Sequence, residues 1–122
     1  MTIRERTLDL LKKAEAGQSL EAIEMHYHPD VTIIEADGQV FQGKEKQKER
    51  MVEFMGTIEA MHGGGVAAVT VDEENRVSMV ESSLDATFKG MGRAKIEEVE
   101  VYRWDADGLV TEARFYYNRP GA

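Results

Sequence analysis

The chain has 122 residues and no cysteine. That length predicts one domain over 1–122, able to bury roughly two-thirds of its unfolded surface, and the missing thiols exclude disulfides and thiolate zinc sites. Fifteen basic against twenty-three acidic residues give a net charge of −8, which disfavours binding along a nucleic-acid backbone. No apolar run approaches the ~18 residues of a membrane span, and the first residues, MTIRERTLDLLKKAEAG, lack the apolar core of a secretory signal, so a cytoplasmic protein is expected.

Thr2 and Glu5 have the spacing of a capping box, and Ile3, Thr7, Leu10, Leu11 and Ala14 repeat at helical spacing, so a first helix is predicted up to Gly17. Ser19 can cap a second, shorter helix with Leu20, Ile23 and Tyr27 on its inner face, ended by Pro29. The stretch HPDVTIIEADGQVFQG (28–43) then reads as a turn, a strand over 31–36, a two-residue turn at Asp37 and Gly38, and a short return strand. Glu35 continues the alternation Val31, Ile33, Glu35, which aims a carboxylate at the apolar side of the sheet.

A third helix is expected over 44–58. Met51, Phe54, Met55 and Ile58 give it an apolar stripe, joined one turn earlier by the polar Gln47. The basic residues from Lys44 to Arg50 are interleaved with acids and read as a solvated surface. His62-Gly63-Gly64-Gly65 resembles a lipase oxyanion loop, but the chain has no Gly-x-Ser-x-Gly elbow, and a flexible helix-to-strand connector is the better reading.

Strands follow over 66–72, 76–89, 94–104 and 109–118. Helices first and an antiparallel meander after predict an α+β domain, with helices on one face of a curved sheet. In the third of these strands Ile96, Glu98, Glu100, Tyr102 and Trp104 share a face, with Val99 and Val101 opposite. In the fourth, Ala113, Phe115 and Tyr117 share a face with Thr111, while Val110, Glu112, Arg114 and Tyr116 lie opposite. Large apolar residues on both faces predict that one covers the helices and the other meets a second copy of the chain.

The order of these elements resembles the nuclear transport factor 2-like superfamily, and within it the SnoaL-like and ketosteroid-isomerase-like small proteins. The resemblance rests on LEAI (20–23) followed by YHPDV (27–31), on DG (37–38) leading to GKE (43–45), and on YRWDADGLV (102–110), and it covers nearly the whole chain. It implies a cone-shaped half-open barrel, three N-terminal helices on a curved, mainly antiparallel sheet, and a homodimer through the outer sheet face. Its activities include isomerases, cyclases, dehydratases and epoxide hydrolases, besides non-catalytic binding modules. In ketosteroid isomerase an Asp base acts beside a Tyr and a protonated Asp. The resemblance places Glu35 at the base and Glu100 at the second carboxyl, but puts Leu11, which has no donor, at the tyrosine.

The implied protein binds a small hydrophobic carbonyl compound, without a cofactor, and moves a proton on it. Its alternative is a non-catalytic ligand-binding or dimerisation module. Glu35 and Glu100 are the catalytic candidates, with Glu98 of equal parity beside them. Expected to line the pocket with them are Leu11, His26, Ile33 and Gln47, the methionines Met51 and Met55, and the aromatic residues Tyr102, Trp104, Phe115 and Tyr117. An ordinary structural role would instead pair the glutamates with Arg93, Arg103 or Arg114. His26, His28, His62 and Asp30 do not share a face, so no metal site is expected.

Overall fold

A computed structural model describes residues 1–118; residues 119–122 of the expected domain lie outside the described residues. The elements run α1 (Ile3–Glu15), α2 (Ser19–His26), β1 (Tyr27–Ile34), β2 (Val40–Gln42), α3 (Lys44–Gly56), β3 (Ile58–Asp72), β4 (Val77–Phe88), β5 (Gly92–Trp104) and β6 (Val110–Tyr117). The strands form one six-stranded sheet in the order β2-β1-β6-β5-β4-β3. All neighbours are antiparallel except β1 and β6, the second and third strands, which run parallel. This is the expected α+β architecture: three helices against a mixed, mostly antiparallel, open sheet.

The capping box at Thr2 is present, with Thr2 Oγ1 accepting from Glu5 N at 3.0 Å and Glu5 Oε1 from Thr2 N at 2.8 Å. Glu73, in the β3–β4 turn, adds a second cap: its two carboxylate oxygens accept from the Ile3 and Arg4 amides at 2.8 and 2.9 Å. The free amides at a helix N-terminus favour a carboxylate, so α1 is pinned to the sheet at its start. From there Ile3, Leu10, Leu11, Ala22 and Ile23 of the helices pack on Val31, Ile33, Val80, Tyr102, Trp104 and Ala113 of the sheet.

Several local expectations are corrected. Ser19 lies inside α2, whose N-cap Gln18 makes no side-chain cap bond; the buried face of α2 is Ala22, Ile23 and His26, while Leu20 is exposed. The first strand starts at Tyr27 and ends at Ile34, so Glu35 opens the turn, its amide donating to Gln39 O. The helix α3 stops at Gly56, and the HGGG segment belongs to β3. Register shifts flank that segment between Met61 and Gly63 and between Val66 and Ala68, so glycines here let a long edge strand bend rather than end. At Gly64 (φ +120°) a Cβ would lie 2.9 Å from Leu84 Cα, which leaves no room for a side chain. Val110 also changes face. A bulge opposite Arg103 and Trp104 pairs Val110 with Trp104, which turns Val110 into the core.

Candidate functional site

Between the helices and the inner face of the sheet lies a solvent-connected cavity of about 1120 Å³. Leu10, Leu11, Ala22 and Ile23 border its helical side, while α3 contributes Gln47, Arg50 and Met51. From the sheet come Glu98, Glu100 and Tyr102 of β5, Phe115 and Tyr117 of β6, Ser82 of β4 and the glycines of β3. Glu35 enters from the end of β1. Strand alternation explains the β5 and β6 contributions: Glu98 pairs with Tyr117, Glu100 with Phe115 and Tyr102 with Ala113, each pair on the inner face.

Two polar clusters face this space. In the first, Glu35 Oε1 accepts from Arg50 Nη2 at 2.7 Å and Oε2 accepts from the Tyr117 hydroxyl at 3.0 Å. Side-chain exposures of 14% for Glu35 and 22% for Arg50 make this a partly desolvated ion pair, not a surface one. Arg50 is held in turn by Gln47 Oε1, which accepts from Nη1 at 2.9 Å, and by the Phe41 ring, whose centroid lies 3.9 Å from its Cζ.

The second cluster is built on Glu100. Its Oε2 accepts from Ser82 Oγ at 2.9 Å and its Oε1 accepts a short bond from the Tyr102 hydroxyl. Glu98 hydrogen-bonds Glu100 and holds its proton up to about pH 8. Burial is the largest cause, followed by the charge of Glu100, the bond to Glu100 and the charge of Glu35, with a Ser82 hydrogen bond opposing. Burial first, and then the charge of Glu100, push the Tyr27 and Tyr102 phenols above their ordinary range. Near neutrality the Glu98–Glu100 pair therefore carries a proton, and the phenols beside it remain donors.

Of the expected lining residues, Leu11, Gln47, Met51, Glu98, Tyr102, Phe115 and Tyr117 border the cavity together with Glu35 and Glu100. Four do not. Ile33 is fully buried in the core beneath the sheet face. His26 is buried and donates from Nε2 to Asp9 Oδ2 at 2.7 Å, which ties α2 to α1. Trp104 is 4% exposed, and its indole donates to the buried Ser78 Oγ at 3.0 Å. Strand parity gave both it and Ile33 the correct face but not the depth along the strand. Met55 is 40% exposed, turned to the outside of α3.

The arginines weighed as partners for the glutamates lie elsewhere. Arg93 binds Asp85, Arg103 binds Glu112, and Arg114 lies over the Tyr116 ring. Arg50 is the residue missed, read as part of a solvated charge run. A signal was present: Gln47 and Arg50 are i, i+3 on one helix face, so an inward Gln47 brings Arg50 with it. Tyr27 and Ser82 were also missed as polar members of the site. Among the described residues no group of His, Asp or Glu is arranged to hold a metal ion, and no helix is long and apolar enough to cross a membrane.

No functionally curated protein is significantly similar to the chain. Among solved structures, a proposed SnoaL-like polyketide cyclase from Mesorhizobium loti is 30% identical, with a TM-score of 0.84 over 96% of this chain and 100% of that one. A second such protein, from Jannaschia sp. CCS1, is 19% identical, with a TM-score of 0.77 over 95% of this chain and 85% of that one. A proposed polyketide cyclase from Pseudomonas putida KT2440 is 16% identical, with a TM-score of 0.79 over 97% and 92%. The last two show the fold alone. The model of the SnoaL-like domain matches residues 3–117. With nearly its whole length matched in sequence and its helices and sheet superposing on these structures, the chain belongs to the SnoaL-like family.

Proposed function

We propose that the protein is an acid/base enzyme that moves a proton, without a cofactor, on a small hydrophobic carbonyl compound, by isomerisation, cyclisation or dehydration. The observation that carries this reading is a carboxylate and a proton-holding carboxyl pair facing one cavity: Glu35 on one side, Glu98 with Glu100 on the other. Glu35 is the base that takes a proton from the carbon beside the carbonyl. The Glu98–Glu100 pair donates to the substrate oxygen, with Tyr102 and Ser82 keeping Glu100 in place. A positioned acid and base of this kind contribute about 10²- to 10⁴-fold in rate. Phe115, Tyr117 and Leu11 supply apolar wall, which suits a hydrophobic ligand. The likeness to the proposed SnoaL-like polyketide cyclase of Mesorhizobium loti supports a small-molecule reaction of this kind.

The test is exchange of the α-protons of 2-tetralone in D2O, followed by proton NMR. The wild type is expected to accelerate exchange above buffer, and Glu35→Gln to reduce that acceleration by about 100-fold or more. Exchange no faster than buffer, or unchanged in Glu35→Gln, refutes the reading.

A second reading, a non-catalytic ligand-binding or dimerisation module, is favoured by Leu11, which offers no hydrogen bond at the cavity wall. It predicts that Glu35→Gln scarcely alters ligand affinity at any pH. In either case we place the protein in the cytoplasm as a homodimer. Met79, Val99 and Tyr116 are exposed by 42%, 37% and 49% on the outer sheet face, where Val99 neighbours Tyr116 and Met79 neighbours Val101.

A further inference from the structure

One charge bordering the cavity has no part in the proton transfer as described so far, and it is the Arg50 guanidinium. Two of its five N–H donors are engaged, one by Glu35 and one by Gln47, while Phe41 covers one face of the plane. Ring and amide fix its position in advance, which is what a group stabilising a transient charge needs. The Glu98–Glu100 pair that donates to the substrate oxygen also carries the charge of Glu100, which opposes ionisation of Glu98 and equally opposes an oxyanion on that oxygen. Leu11, on the helical side of the same cavity, has no donor to offset that repulsion.

We propose that Arg50 is a catalytic residue that stabilises the oxyanion formed on the substrate as Glu35 takes up the proton. This rests on the proton-transfer reading above. In the step, the C–H bond beside the carbonyl breaks and its proton bonds to a Glu35 oxygen. The C–H electron pair becomes the C=C bond, and the carbonyl π pair moves onto oxygen. Glu35, now neutral, releases its claim on the guanidinium at the moment the substrate oxygen becomes negative. The total charge in the cavity does not change; one anion replaces another beside the same cation. Return of the proton from Glu35 to a different carbon restores the original pair, so no external oxidant or reductant is involved.

The probe is 4-nitrophenolate, a stable oxyanion whose binding is followed by absorbance at a pH where it is ionised. Glu35→Gln imitates the protonated base and leaves Arg50 without its carboxylate, so it is expected to tighten phenolate binding by about tenfold or more, as one freed charge-assisted hydrogen bond allows. Adding Arg50→Met to that variant is expected to abolish the gain. Arg50→Gln in the same background, which keeps a polar side chain, serves as the second variant, and near-UV circular dichroism checks that each is folded. No gain in Glu35→Gln overturns the proposal. So does a gain that persists without Arg50, because general relief of repulsion then explains it. 2-Tetralone exchange on the same wild-type sample separates the two failures. Its absence overturns the proton-transfer reading and this role together, whereas exchange with Arg50-independent phenolate binding overturns the role of Arg50 alone.

Discussion

Glu98 gives the site a cost in stability that can be measured without knowing the substrate. In the folded chain its carboxyl holds a proton up to about pH 8, against a reference value of 4.5, chiefly because burial disfavours the charged form. Between those values the unfolded chain has released the proton and the native chain retains it. The native state therefore binds more protons, and its stability falls as pH rises, by about 1.4 kcal/mol per pH unit from this group. Over the whole interval the loss is on the order of 5 kcal/mol, complete above pH 8 and absent below pH 4.5. Glu98→Gln keeps a neutral side chain of similar shape at every pH and removes that slope. Urea denaturation at one protein concentration, repeated from pH 5 to pH 9, is expected to give wild type and variant nearly equal stability at the acid end. At the alkaline end the variant should be more stable by several kcal/mol. Parallel curves would refute the reasoning, since they would mean that Glu98 ionises in the native state as readily as in the unfolded one.

Two other outcomes are expected. Ser78→Ala leaves the buried Trp104 indole N–H without an acceptor and is expected to cost about 1–3 kcal/mol in urea denaturation; a loss under about 0.5 kcal/mol would mean that the indole finds another partner. Val99→Lys places a charge in the middle of the outer apolar face, so for the homodimer proposed above sedimentation velocity is expected to show half the wild-type mass with the circular dichroism spectrum retained; an unchanged mass overturns the proposal that this face joins two copies.

The parts of the site that alternation governs were readable in the sequence. Glu98, Glu100, Tyr102, Phe115 and Tyr117 fall on one side of two regular strands, and the period of two sends all of them to the cavity. Alternation carries no information on depth, so Trp104 and Ile33 were expected in the wall and belong to the core. The helix α3 was harder. Its charge run resembles a solvated face, yet an ion pair with Glu35 and the ring of Phe41 draw Arg50 inward, and both partners lie on other elements. The HGGG segment misled because consecutive glycines are usual in connectors, whereas here pairing with β4 on one side carries the strand through them. The bulge that turns Val110 inward has no sequence mark beyond the neighbouring Asp107-Gly108 turn.

The parallel contact of β1 with β6 has a consequence for how the chain acquires its site. Until β6 is in place, the sheet consists of two unconnected pieces, β2 with β1 and β5 with β4 and β3. The carboxylate Glu35 belongs to the first piece and the Glu98–Glu100 pair to the second, with Tyr117 supplied by the joining strand itself. During synthesis these carboxyl groups therefore cannot be brought to one cavity until β6 itself has been made. Closure of so long a loop before any reward in contacts is the step expected to set the pace of folding.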